Sequence, residues 1–177
     1  MKIKISGGSL WMGASSLFEL EFELKGSGTN QDPFIITNKK QEYDNDLEYD
    51  ISDSNSYIKF ENIIFKSIIL TRCENIIILD SELTNLNLNR CSKVLVQNVE
   101  VKKRLNIFKS HIIKFADCNI HKLVGFSGDQ ILFSNCSIRR ISKKTEASVL
   151  VEHSIPNKIK RKYPKNIHGK DFSIEKL

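Results

Sequence analysis

The feature that most constrains this chain is a repeat. The segments YIKFENIIF, NIIILDSEL, KVLVQNVEV, IIKFADCNI and QILFSNCSI align column on column. Ile58, Ile76, Val94, Ile113 and Ile131 fill one column, and Phe60, Ile78, Val96, Phe115 and Phe133 fill the column two residues further on. Asn62, Asp80, Asn98, Asp117 and Asn135 follow, and Phe65, Leu83, Val101, Ile120 and Ile138 close each segment. The copies are spaced 18, 18, 19 and 18 residues apart, and a weaker sixth copy follows at Val149, Val151 and His153.

A couplet of apolar residues two apart is a short strand that turns alternate side chains inward. Within one copy a second couplet starts five residues after the first, as at Ile58/Phe60 and Ile63/Phe65, and a third appears at Ile68/Leu70 and Leu86/Leu88. Three short strands per copy make one rung of a solenoid. A single rung cannot cover its own apolar face, so stability requires stacked neighbours. With strands about 4.8 Å apart, five intervals give a rod roughly 24 Å long. The Asn/Asp column sits where the chain must bend between the first two strands. These residues tolerate the left-handed conformation such a corner needs, and their side chains can bond along the stack.

On these residues the chain resembles the right-handed parallel β-helix superfamily, the pectate-lyase-like solenoids with an asparagine ladder at one tight turn. The resemblance covers residues 26–155. GSGTNQDPFIITN, Gly26 to Asn38, is similar to the Gly-x-Gly-Thr…Pro-Tyr-x-Ile opening of right-handed β-helix region repeats, with Phe34 in place of the tyrosine. That motif marks the fold and carries no activity. The left-handed β-helix also uses eighteen residues per coil, but its hexapeptide repeat would set equivalent residues six apart, whereas these couplets start five apart. The expected fold is therefore all-β: a single-stranded right-handed parallel β-helix solenoid of five to six short rungs. Residues 1–38 read as N-terminal cap strands and the opening motif, 39–155 as the helix proper and 156–177 as a basic C-terminal arm. FELEFELK, Phe18 to Lys25, alternates strictly and is expected to be an amphipathic strand of the cap.

Cys73 and Cys91 lie one rung apart, as do Cys118 and Cys136, so each pair is expected to stack. Cys-x-x-Cys does not occur, the two pairs occupy different columns, and the four histidines show no metal-ligand spacing with acidic residues, so neither a metal nor another cofactor is expected. Small buried thiols are the simpler reading.

Charge is unevenly placed. The net formal charge is +6, yet residues 1–98 hold more acidic than basic side chains and the remainder reverses this. The rungs carry Lys102 and Lys103, then His121 and Lys122, then Arg139 and Arg140 near one corner, with Lys143 and Lys144 beyond. Like charges one rung apart repel, which points to an anion-binding ladder for phosphates, an acidic glycan or a partner's acidic face; the competing reading is a solvated corner. The arm carries Lys158, Lys160, Arg161, Lys162, Lys165 and Lys170, but Tyr163 and Phe172 alone offer stacking, so nucleic-acid binding through it is a secondary expectation. Ile77, Leu79 and Leu95 face outward on adjacent rungs and form a candidate interaction patch, to be covered by the N-terminal strand or by a second copy. Glu82 and Glu100 share an outward column and are the weak catalytic candidates, since two carboxylates about 5 Å apart suit retaining glycoside hydrolysis. Thr84 supplies no base beside Glu82, and Lys102 is expected to pair with Glu100.

The expected function is a non-catalytic scaffold or protein-interaction module, with self-association as one form of that interaction. The alternatives are an anion- or polysaccharide-binding module at the basic corner, or a polysaccharide lyase or glycoside hydrolase. No run of eighteen apolar residues exists, so no membrane span is expected. The opening MKIKISGGSLWMGASSLFELEFEL meets glutamate before a sustained apolar core, which argues against a secretory leader and for a cytoplasmic location.

Overall fold

Because the couplets recur every rung, each apolar column should lie in register with the next. A computed structural model places them so. It describes residues 2–6, 11–12, 22–38, 48–142 and 145–152, with side chains for 25–37 and 48–142. The strands are β1 (Lys2–Ser6), β2 (Trp11–Met12), β3 (Phe22–Lys25), β4 (Phe34–Asn38), β5 (Glu48–Ser54) and β6 (Ile58–Glu61). Next come β7 (Ile64–Asn89), β8 (Ser92–Ala116), β9 (Asn119–Ser134), β10 (Ser137–Ile141) and β11 (Thr145–Glu152). β7 and β8 are far longer than a flat strand because each runs around corners while still pairing with the neighbouring rung. The fold is an all-β parallel solenoid of about five turns, with no helix among the described residues.

Three faces follow each other around the coil. The first runs from β4 through β6 to Ile76–Leu79 and Val94–Gln97, with Phe34 opposite Ile58, Ile58 opposite Ile76 and Ile76 opposite Val94. Ile113–Ala116, Ile131–Ser134 and Val149–Glu152 continue it. The second face pairs Ser81, Glu82 and Leu83 with Val99, Glu100 and Val101, and then Val101 with Ile120 and Ile120 with Ile138. The third runs from β1 through β5, opposite Ser67–Thr71, and on to Asn85–Asn89 against Arg104–Phe108 and Leu123–Phe126. The weak sixth copy is therefore a rung, with Val149 opposite Ile131 and Val151 opposite Phe133.

The inward columns make one continuous core. Ile58, Phe60, Ile76, Ile78, Val94, Val96, Ile113, Phe115, Ile131 and Phe133 are buried, as are Leu86, Leu88, Leu105 and Ile107 of the third face. Aromatic rings stack along the axis, Phe115 on Phe133 at 4.8 Å and Tyr49 on Phe65 at 4.6 Å between centroids. Deleting any of these side chains opens a cavity between rungs that neighbours on a fixed ladder cannot close, which typically costs about 2–5 kcal/mol.

The corners explain the polar columns. Asn62, Asp80, Asn98, Asp117 and Asn135 all have φ between 47° and 54°, the left-handed region that asparagine and aspartate tolerate best. The Asn98 amide donates to the Asp80 carboxylate at 2.7 Å, and that of Asn135 to Asp117 at 2.6 Å. The ladder is thus built of amide-to-carboxylate pairs. Small inward side chains flank the bends and bond back to carbonyls. Cys73 donates to the Ile51 carbonyl at 3.4 Å, Cys91 to Leu70 at 3.3 Å, and Ser110 to Leu88 at 3.3 Å, while Cys118 donates to Val96 at 3.4 Å. Cys73 and Cys91 stack on successive rungs, and Ser110 takes the next place in their column, because this position needs a small side chain with a donor.

The N-terminal end is closed by antiparallel pairing. β3 lies along β4, with Leu24 opposite Ile36, and β2 along β1, with Ser6 opposite Trp11. β3 is thus an edge cap, and its described residues bond to β4 instead of lying over the Ile77–Leu95 patch. The rest of that expected strand, residues 18–21, lies outside the described residues, as does the basic arm, 156–177. Opening the solenoid, Ser27, Gly28 and Thr29 aim three amide N–H groups at the Asp32 carbonyl at 3.0, 2.9 and 3.1 Å. A Cβ on Gly28, at φ 78°, would sit 2.3 Å from the Phe34 ring, so this glycine lets the ring fold onto the turn.

Candidate functional site: the basic corner

The corner between the second and third faces gathers cations because three rungs in succession place basic residues at the bend. A local irregularity enlarges the cluster. Leu83 pairs with Val101 but Asn85 pairs with Arg104, so the third rung fits three residues, Lys102, Lys103 and Arg104, where the second fits Thr84 and Asn85. A bulge of this kind bends the strand and pushes its extra residue outward. Arg104, not Lys103, then occupies the column of Asn85. Arg140 lies opposite Lys122, and Arg139 falls opposite His121.

Lys102, Lys103, Arg104, Arg139 and Arg140 are exposed, and His121 and Lys122 half-buried. Lys102 pairs with Glu82 on the preceding rung, which holds its ammonium above the ordinary lysine range. The expected Lys102–Glu100 pair is not the one formed: the diagonal across the rungs brings the Glu82 carboxylate to the ammonium, and Glu100 acts on it only through its charge. Among the described residues, Lys103, Arg104, Lys122, Arg139 and Arg140 form no ion pair or side-chain hydrogen bond. Successive rungs stand about 4.8 Å apart, so these cations lie well within one Debye length of each other and their fields add.

Glu82 and Glu100 stand directly opposite each other in neighbouring rungs, half-buried. Glu82 is held by Lys102, and Thr84 beside it carries no titratable group. No group of three or more His, Cys, Asp and Glu side chains is arranged to hold a metal among the described residues. Ile77 and Leu95 are opposite one another, and Leu79 lies beside Gln97. All three are half-buried, bordered on the preceding rung by the Lys59–Glu61 ion pair of 3.0 Å. Phe108 is the one exposed large hydrophobic side chain among the described residues.

The four cysteines are buried and unbridged. Burial, with the neighbouring Cys91 thiol, pushes Cys73 up to about 12, and burial raises Cys91 as well. Cys118 is held above the usual thiol range by its hydrogen bond with Cys136 and by burial. Cys73, Cys91 and Cys118, held protonated in this way, are poor nucleophiles.

Sequence reasoning missed the bulge residue Arg104, although the single nineteen-residue spacing announced an insertion in that rung. It also missed the corner between the third and first faces. There Asp53, Arg72, Arg90 and Lys109 have φ of 57°, 54°, 56° and 48°. Arg72 forms a forked ion pair with Asp53 and holds that carboxyl below the usual carboxylate range. Arg72, Arg90 and Lys109 recur at the repeat period, but arginine and lysine have no preference for the left-handed region that would mark the column as a bend.

Comparison with family models, with curated proteins and with solved structures returns no match.

Proposed function

We propose that this protein is a non-catalytic β-solenoid scaffold that engages a polyanionic partner through the corner formed by Lys103, Arg104, Lys122, Arg139 and Arg140. The observation that carries the reading is that these five cations stack over three rungs with no counter-charge of their own among the described residues. Folding gains nothing from their mutual repulsion, whereas an anionic ligand relieves it and gains from a field presented by a rigid frame. A right-handed coil of the pectate-lyase-like kind belongs to the same proposal, supported by the asparagine-rich corner and the five-residue offset between couplets. Self-association ranks second: the acidic Glu48 and Asp50 near one end and the basic rungs near the other favour head-to-tail contact, but β2 and β3 occupy strand edges that an end-on copy would need.

Retention on a heparin column tests the reading. Replacing Lys103, Arg104 and Lys122 together by glutamate is expected to shift elution to much lower salt with the thermal midpoint little changed. Unchanged retention of a folded triple variant would remove the corner as the contact. Sedimentation across a salt series tests self-association, and a monomer at every salt and protein concentration excludes it.

A further inference from the structure

The third face runs from the basic corner to a second cationic corner, and its outward side chains differ from those of the other two faces. Asn85, Asn87 and Asn89 project from one rung, and Arg104, Asn106 and Phe108 from the next. Phe108 is 45% exposed, and the Lys109 ammonium lies 5.3 Å from its ring centroid. Asn106 reaches over Gly125, where a Cβ would sit 1.9 Å from its Oδ1, so the floor beyond this amide is kept flat by the absence of a side chain. No carboxylate occurs in the stretches 85–89, 104–108 or 122–127 that make this part of the face. Arg104 at one end and Lys109 at the other are separated by about 16 Å of strand.

The far corner shows a cost that folding alone would not select. Arg90 and Lys109 sit on adjacent rungs in the left-handed region, at φ 56° and 48°, where asparagine or glycine is favoured. Unlike Arg72, the Arg90 side chain has no ion-pair or hydrogen-bond partner among the described residues. Strain of this kind is retained where a side chain has work to do. The two corners thus hold cations at both ends of a flat amide floor that carries an exposed phenyl ring.

We infer that single-stranded nucleic acid crosses this face, its phosphates held by Arg104 at one corner and by Arg90 and Lys109 at the other, with a base stacked on Phe108. The inference rests on the polyanion reading of the basic corner and names its ligand. Once Lys109 turns from its face to a phosphate, the phenyl ring can stack on any base but bonds no sugar hydroxyl, and amides can meet base edges. A purely charge-driven partner, such as an acidic peptide or a sulfated glycan, would use the cations and leave Phe108 without a role.

Fluorescence anisotropy with a labelled single-stranded oligonucleotide, in parallel with labelled heparin, tests it on the full chain. Phe108→Ala is expected to weaken oligonucleotide binding at least fivefold while heparin binding stays within a factor of two, and Phe108→Tyr to restore the oligonucleotide affinity. Phe108 is exposed, so the variant should keep its thermal midpoint. Arg90→Asn should weaken the oligonucleotide and raise the midpoint. Equal effects of Phe108→Ala on both ligands, or no effect on either, would overturn the stacking role. Heparin binding without any oligonucleotide binding would overturn this inference and leave the basic corner standing, whereas binding of neither would remove both.

Discussion

Replacing Asn98 by alanine tests the corner ladder on which the coil depends. Asn98 has φ 52° and its amide donates to Asp80 at 2.7 Å. Alanine loses the hydrogen bond, with a net cost of about 1 kcal/mol for an exposed pair, and must adopt a left-handed conformation that costs about 1–2 kcal/mol for a residue with a Cβ. The expected loss is about 2–3 kcal/mol. Glycine loses the same bond but accepts the bend, and after its greater unfolded-state entropy is counted it should recover about 1 kcal/mol relative to alanine. For a chain of this size each kcal/mol moves the melting midpoint about 2–4 °C, so the alanine variant should melt roughly 4–12 °C lower. Urea denaturation followed by circular dichroism reads both variants. Asn119→Ala, at an exposed position on the second face outside the corner columns, is the control and should change stability by less than about 0.5 kcal/mol. If alanine matched or exceeded glycine at position 98, or if the control lost as much, the argument that the bend selects asparagine would fail.

Leu88→Ala, at a fully buried position in the third face, should cost about 2–5 kcal/mol in urea titration, since flanking rungs hold their spacing and cannot fill the gap. Gly26→Ala should destabilise by about 2 kcal/mol or more, because its φ is 99° and the new Cβ would lie 1.9 Å from the Pro33 carbonyl oxygen; a silent thermal melt would contradict that. Lys102→Ala should change stability by less than about 1 kcal/mol, because its pair with Glu82 is half exposed. Cys73 links stability to alkaline pH. Its folded-state pKa is pushed by burial up to about 12, above the ordinary thiol range, so the folded state holds a proton that the unfolded state releases. Its contribution is complete below about pH 9 and declines as pH rises towards 12, with a slope approaching 1.4 kcal/mol per pH unit at about 25 °C. Cys73→Ser should flatten that part of a stability-against-pH curve, and an unchanged slope would refute the assignment.

Most of the architecture was written in the sequence, because a solenoid is a local object repeated. Ile58, Ile76, Val94 and Phe60, Ile78, Val96 mark strands by their two-residue alternation, and the period of eighteen states which strands must be neighbours. The asparagine and aspartate column named the corner, since few other residues bend there without cost. The acidic-to-basic change along the chain likewise became an axial change, because in a stacked coil sequence position is axial position.

What tertiary structure alone decided is the register inside a rung. One additional residue between Val101 and Leu105 could have been absorbed at any of several points, and only pairing with the neighbouring rung put Arg104 in line with Asn85. The same holds for Lys102, whose carboxylate partner depends on a diagonal between rungs and not on distance along the chain. It holds again for Arg90, Lys109 and Phe108: the repeat puts Arg72, Arg90 and Lys109 in one column, but that the column is a bend with Phe108 beside it is decided by the turn of the backbone. Alternation specifies which way a side chain points; which side chains from different rungs share a patch of surface is fixed by hydrogen bonding between strands eighteen or nineteen residues apart.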